Sequence, residues 1–222
     1  MRILVINCGS TSLKYKLYEA QEHGLSLLAA ASVAMRPGEE PPVAGVLAAL
    51  PARPDAVAHR VVHGGDRFTA AVRVDDEVLR ALTELTPLAP LHNGPALCAL
   101  EITRALGIPI IAAFDTAFFA DLPARARRYA LPAIPGVHRY GFHGWSHRFV
   151  MKRLAALSGD PSPTFVSLHL GSGCSAAAIR RGKPVDISMG YSPLEGLIMG
   201  TRAGDVDPGV LLHLLQAKWL LD

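Results

Sequence analysis

Ile3-Leu4-Val5-Ile6-Asn7-Cys8-Gly9-Ser10-Thr11-Ser12-Leu13-Lys14 is the stretch on which the reading of the fold turns. Ile3 to Asn7 reads as a buried strand, Cys8 to Thr11 as a tight turn, and Ser12 to Tyr18 as an alternating strand that returns from it. The tip of this hairpin gathers the Asn7 carboxamide, the hydroxyls of Ser10, Thr11 and Ser12, and the Lys14 ammonium. Glycine lets a backbone approach an anion closely, hydroxyls and amides can bond anionic oxygens, and lysine neutralises their charge. The spacing is not that of a Walker A loop.

The same plan recurs downstream. Thr164 to Leu170 is strand-like, Gly171-Ser172-Gly173 is a turn, and Cys174 to Arg180 is strand-like again. Two such hairpins are what a duplicated fold gives when each half offers backbone amides to a phosphate chain, and two unrelated glycine turns are the plain alternative. Between them, Ala56 to Val62 and Ile108 to Phe114 are strand candidates, while Asp76 to Leu85 and Pro95 to Leu106 have helical spacing. The second of these helices has Asn93 near its start and a proline in its first turn. A helix is expected from Gly144 to Ser158-Gly159, with Trp145, Phe149, Leu154 and Leu157 along one face. Another, apolar nearly all round, is expected from Pro208 to Leu221 behind Asp207 as N-cap. Strands alternating with helices make an α/β protein, with a first domain over 1–143 and a second beginning at 144–222.

Half of the 222 residues are hydrophobic and 18% are charged, enough for a sizeable core in one large or two modest domains. The most apolar stretch, Leu25 to Met35, is too short for a bilayer and carries Ser26 and Ser32, so no membrane partner is expected. The opening residues lack the pattern of a signal peptide, and the expected compartment is the cytoplasm. Cys8, Cys98 and Cys174 match neither a disulfide framework nor a zinc cluster and read as reduced packing residues. Net charge is +3, yet Leu122 to Gly159 holds no acidic residue alongside Arg125, Arg127, Arg128, Arg139, Arg148, Lys152 and Arg153. That asymmetry suits an anionic ligand or a solvated basic face; nucleic acid is disfavoured because no reading-head motif is present.

His59-Arg60-Val61-Val62-His63-Gly64-Gly65 sets an arginine ahead of a glycine pair at a strand end, where open α/β sheets keep their ligands, and Arg60 could clamp a carboxylate bidentately or form a surface ion pair. Asp115 closes a strand and could hold a metal-bound water or cap the next turn. His143 and His147 have metal-ligand spacing on a helix, but no carboxylate or cysteine completes a zinc site. Asp186 to Pro208 contains Gly190, Gly196, Gly200 and Gly204, a lone Arg202 and several carboxylates. A long aperiodic loop of that kind is usually functional.

Asn7 to Lys14, His59 to Gly65, Ala89 to Asn93, Phe114 to Phe118, Arg139 to His147, His169 to Gly173 and Asp186 to Pro208 together resemble the successive motifs of the acetate kinase family, in that family's order. The wider resemblance is to the actin-like (ribonuclease H-like) ATPase superfamily, whose two related domains enclose ATP. It implies an α/β actin-like fold with a first domain complete or nearly so and a second one only begun, because the family continues well past this point. It also implies transfer of a phosphoryl group between ATP and acetate with Mg²⁺ or Mn²⁺, in a homodimer. Propionate or butyrate kinases are neighbouring readings, a sugar kinase or chaperone-like ATPase is disfavoured, and a non-catalytic remnant is the rival of another class. By the same resemblance the 222-residue chain alone is expected to turn over little.

Residue by residue, Asn7 falls where the family binds magnesium, and Ser10, Ser12 and Lys14 where it meets nucleotide phosphates. Arg60 matches the carboxylate-binding arginine, with Val62, Leu91, Phe142 and Pro193 at positions similar to the pocket for the acetate methyl. Asp115 corresponds to the proton acceptor or donor, His143 and Arg202 to transition-state stabilisers, and His169, Leu170, Gly171, Ser172 and Gly173 to the phosphate loop of the second domain. This chain departs from the family pattern at Ser172 (usually asparagine), Phe119 (histidine), Trp145 (a small residue) and Gly94, which separates Asn93 from Pro95. A carboxylate of ordinary pKa is already ionised at pH 7, so the expected catalysis is positioning and charge neutralisation, with Asp115 orienting a water or an arginine.

Overall fold

A computed structural model describes residues 1–9, 11–36, 38–217 and 219. The chain forms two compact units, Met1–Ala120 and Asp121–Asp222.

In the first unit, β1 (Arg2–Cys8) pairs antiparallel with β2 (Ser12–Gln21), and β2 with β3 (Gly24–Ala34). After the short helix α1 (Val43–Ala48), β4 (Ala56–Val61) returns parallel to β1. Then come β5 (Val72–Arg73), α2 (Asp76–Leu85), α3 (Pro90–Arg104) and β6 (Ile110–Phe114), the last parallel to β4. The strand order is β3-β2-β1-β4-β6-β5. Strand side chains alternate between faces, so Leu4, Ile6, Cys8, Leu13, Leu17, Val57, Val61, Ile110 and Phe114 build a buried face on which α3 packs. Asn7, Lys14 and Arg60 stand in register on the opposite face.

The expected strands and α2 form within a few residues of their predicted bounds. α2 starts where Asp75 accepts a bond from the Val78 N–H at 2.9 Å. β3 went unpredicted because its alanines and exposed leucines show no alternation. α3 starts at Pro90, earlier than the predicted Pro95, which lies inside the helix. Asn93 therefore does not cap it: its carboxamide accepts from His63 N at 3.1 Å and donates to His63 O at 3.0 Å, tying the helix to the chain beyond β4.

The second unit comprises α4 (Ala124–Arg127), α5 (Gly144–Ser158), the hairpin of β7 (Phe165–Leu170) and β8 (Cys174–Arg180), β9 (Lys183–Ile187) on the far side of β8, and α6 (Pro208–Gln216). Residues 121–143 group with it because Arg139 donates to Glu195 at 2.6 Å and to Ile187 O at 2.7 Å, and Tyr140 N to Gly190 O at 3.0 Å. The expected apolar face of α5 is not its buried face: Phe149 and Leu157 are each 69% exposed, whereas His147 is fully buried. Hydroxyls on β7 and β8 receive His147, so a polar network rather than an apolar stripe seats this helix. Asp207 caps α6 through Gly209 N at 2.8 Å, as its position suggests, and Val210, Leu211, Leu212 and Leu215 stay about half exposed. Leu220 and Leu221, the expected end of that helix, lie outside the described residues. Among the described residues no helix is long and apolar enough to cross a membrane.

His59 occupies the buried face of β4, its Nε2 2.9 Å from Thr103 Oγ1 of α3. Burial pushes its pKa down from 6.5 to about 3. The unfolded chain therefore takes up a proton that the folded chain refuses. The contribution to stability is fully present above pH 6.5 and declines as pH falls toward 3, by about 1.4 kcal/mol per pH unit. In urea titrations at pH 7 and pH 5, His59→Gln is expected to flatten this acid loss by about 2 kcal/mol relative to the parent chain; equal losses in both proteins refute the assignment.

Candidate functional site

In the first unit the register builds a polar row across three strands. Asn7 of β1 lies opposite Lys14 of β2 and beside Arg60 of β4. The parallel neighbour β6 ends at Phe114, which places Asp115 next in line. Arg60 Nε donates to Asp115 Oδ1 at 2.9 Å, Nη2 to Asp115 Oδ2 at 2.5 Å, and Nη1 to Asn7 Oδ1 at 3.0 Å. Among the described residues three of the five guanidinium N–H bonds are thereby taken, and two remain for a ligand. The Asp115 side chain is 1% exposed and that of Arg60 30%. Burial works against the arginine's charge, but the Asp115 carboxylate and its hydrogen bonds outweigh it and hold the guanidinium above its ordinary pKa.

Lys14 is exposed and Ser12 half-buried, with Ser12 O accepting from Gly9 N at 2.9 Å to close the turn. Ser10 lies outside the described residues. Val62 is buried, whereas Leu91 is 68% exposed and borders a cavity with Met35, Pro41 and Cys98. Phe119 is buried, edge-on to Phe118. Asn7 Oδ1 and the Asp115 carboxylate are hard oxygen donors already engaged by Arg60, and among the described residues no group of three or more His, Cys, Asp or Glu is placed to hold a metal ion.

The second unit gathers a different set. His143 precedes α5 in the left-handed region, at φ 59°, unusual for a residue with a Cβ. Its Nδ1 lies 2.9 Å from Ser175 Oγ, and its ring stacks on His169 with centroids 4.0 Å apart. A Cβ on Gly173 would come within 3.2 Å of His143 Nε2 and 3.6 Å of Arg202 Nη2, so these two groups converge on the glycine of the β7–β8 turn. Gly171 N closes this turn on Gly173 O at 3.0 Å, and Ser172 and Leu170 are exposed. His169 belongs to β7 rather than to the turn, with its Nδ1 2.8 Å from Ser146 Oγ. Phe142 is buried, and Pro193 is half-buried, its carbonyl accepting from Arg202 Nη1 at 2.8 Å. Arg148 lies 5.3 Å over the Trp145 ring.

The loop bearing Arg202 is ordered by a cluster that sequence reasoning missed. Glu195 accepts from Arg139 and from Tyr129, whose hydroxyl also accepts from Tyr191 N at 2.7 Å. Burial and the bond to Glu195 push the Tyr129 phenol up to about 12. Gly196 N donates to Asp205 Oδ1 at 2.7 Å, and Met199 N to Arg202 O at 2.9 Å. The only signal in the sequence was a basic residue and an acidic one 56 positions apart.

A profile of the Acetokinase family matches residues 48–220. The chain belongs to the acetokinase family. An acetate kinase from Fervidobacterium nodosum is 39% identical over 99% of this chain and 64% of its own length. The crystal structure of Porphyromonas gingivalis acetate kinase superposes with a TM-score of 0.82 at 38% identity, covering 98% of this chain and 64% of that one. A propionate kinase structure from Francisella tularensis reaches 0.83 at 31% identity, over 97% and 64% of the two chains. The chain thus spans slightly under two thirds of the length of these relatives, and it has the actin-like ATPase fold that the acetokinase resemblance implies.

In this chain a Cβ on Gly190 would overlap Glu195 Oε2 and the Tyr129 hydroxyl. Gly190→Ala should therefore break the Tyr129–Glu195–Arg139 cluster, cost about 1 to 3 kcal/mol, and open residues 188–205 to limited proteolysis. Gly45→Ala, in a helix with nothing within 4 Å of the new Cβ, should be neutral or stabilising. Equal melting temperatures and cleavage patterns for the two variants refute this role of the cluster.

Proposed function

We propose that the protein transfers the γ-phosphoryl group of ATP to acetate, reversibly, giving acetyl phosphate and ADP. The observation that carries the reading is Arg60, held by Asp115 and Asn7 with two N–H bonds left over. Family membership supports the reaction class.

In this reading the two remaining N–H bonds of Arg60 receive the substrate carboxylate, Val62 supplies apolar surface for its methyl group, and Lys14 offsets the charge of nucleotide phosphates. The carboxylate attacks phosphorus as it stands, so no base is required. Asp115 acts as a positioning residue: both its oxygens bond Arg60, which orients the guanidinium and fixes its charge. His143 and Arg202 cover the equatorial oxygens of the moving phosphoryl group, whose charge is what an enzyme must stabilise in an in-line transfer. A propionate kinase is the second reading, since the Francisella tularensis structure is as similar in fold as the acetate kinase structure, though lower in identity. The reading extends to a homodimer, checked by sedimentation velocity.

Coupled assays of acetyl phosphate formation test the reading, with acetate and propionate compared by kcat/KM. Arg60→Ala should raise the KM for the carboxylate and lower kcat/KM by about one to two decades, the value of a charge-assisted contact. Asp115→Asn should lower kcat/KM as well, since it releases the guanidinium, and Arg202→Ala should depress kcat far more than either KM. Absence of ATP-dependent acetyl phosphate from a protein of the relatives' full length sinks the proposal; unchanged kinetics in its Arg60→Ala variant sinks the assignment of that residue.

A further inference from the structure

Behind His143 runs a chain of hydrogen bonds that the proposed reaction does not use. Ser175 Oγ of β8 lies 2.9 Å from His143 Nδ1 and 2.9 Å from His147 Nε2. On its other side, His147 Nδ1 lies 2.9 Å from Ser167 Oγ of β7. Ser175 and His147 are fully buried and Ser167 is 3% exposed. A core histidine pegged between two hydroxyls is the plain reading. The hydrogen count says more.

Among the described residues Ser167 Oγ has one hydrogen-bond partner, His147 Nδ1. A buried hydroxyl left without an acceptor is costly, so Ser167 donates its hydrogen to that nitrogen. His147 Nδ1 is then bare, and its proton sits on Nε2, which donates to Ser175 Oγ. Ser175 has no other partner among the described residues, so its own hydrogen goes to His143 Nδ1. His143 Nδ1 is bare in turn, and the proton of the neutral ring rests on Nε2, which lies 3.2 Å from the place of a Cβ on Gly173, with Arg202 Nη2 3.6 Å from the same point. One buried hydroxyl thus sets the direction of the whole chain.

We propose that Ser167, His147 and Ser175 are positioning residues that fix His143 as the Nε2–H tautomer, so that it presents a donor to an anionic oxygen beside Gly173. The use of that donor on a phosphoryl group rests on the function proposed above; the tautomer does not. In the opposite polarity Nε2 would face the anion with a lone pair and repel it, so the relay separates a stabilising His143 from an opposing one. It also gives a reason for the left-handed backbone at His143: the ring must reach Ser175 with one nitrogen and Gly173 with the other.

The decisive variant is Ser167→Ala, because Ser167 reaches His143 only through His147 and Ser175. With the 222-residue chain labelled with ¹⁵N at histidine, and signals assigned by loss in His143→Gln and His147→Gln, both rings should carry their proton on Nε2 in the parent. Ser167→Ala should shift His143 to a mixture of tautomers, and Ser167→Thr, which keeps the hydroxyl, should restore the parent signal. If Ser167→Ala does not fold, Ser175→Ala takes its place, with the same expectation for His143. Where turnover is measurable, Ser167→Ala should lower kcat by about tenfold with KM values little changed. A proton on Nδ1 of His143 in the parent, or a His143 spectrum indifferent to both serine variants, overturns the proposal. Lack of turnover in a protein of the relatives' full length, with the expected tautomer shift, overturns the phosphoryl-transfer reading alone.

Discussion

The pairing of Arg60 with Asp115 is the constraint around which the first unit is arranged. It needs β4 and β6 to be parallel neighbours in one register, because only then does the residue after β6 arrive beside the residue near the end of β4. It needs β1 alongside as well, to bring Asn7 to the third guanidinium nitrogen. A carboxylate with a 1% exposed side chain has surrendered its hydration, and removal of its partner would leave that charge uncompensated, a loss of several kcal/mol in typical proteins. The pair is thus at once a demand on the fold and the means by which the fold aims a guanidinium. Asn93, bonded to both polar groups of the His63 peptide, and Thr116, accepting from Gly64 N at 3.0 Å, hold the chain just beyond β4.

The second unit orders its polar groups by another device. Here the bonds described join the histidines to the hydroxyls of Ser146, Ser167 and Ser175. Hydroxyls donate and accept, so the direction of such a network is set at one end. Meanwhile Glu195 is spent on Arg139 and Tyr129, away from Arg202. Glycines at 190, 196 and 204 make this packing possible, because a Cβ at any of them would collide with a neighbouring backbone or side chain.

Much of this was legible in the sequence where local pattern and chemistry coincide. The β1–β2 hairpin announced itself by a run of apolar residues broken by a polar glycine turn, and α2 by its period and by Asp75. Arg60, Asp115, His143 and Arg202 stood out as charged or titratable residues at strand ends and in a glycine-rich loop. What stayed hidden is what depends on register. Nothing local to Asp115 says that both its oxygens accept from Arg60. Nothing local to His147 distinguishes a metal ligand from a ring held between two serines that lie 20 and 28 residues further on. The α5 face was misread for the same reason, since Phe149 and Leu157 fit a helical stripe while the burial goes to a polar side chain. β3 escaped because alanine is neutral in the pattern that reveals strands.

The two arginines of the proposed reaction are prepared in opposite ways, and the difference bears on what each can do. Arg60 is already neutralised by Asp115, so an incoming carboxylate meets a polar edge of fixed direction rather than an unbalanced charge. Binding there depends on geometry and is not strengthened by a large Coulomb term, which suits a small, common anion that must be held loosely and aligned well. Arg202 donates to the neutral Pro193 carbonyl and, among the described residues, pairs with no carboxylate. Its full charge remains available, on a loop that Glu195 and Asp205 keep in shape. A charge of that kind contributes most where negative charge is greatest, on the oxygens of a phosphoryl group in transit, and least to a ground state already solvated by water. Fixed orientation at Arg60 and unspent charge at Arg202 therefore suit different moments of the proposed reaction.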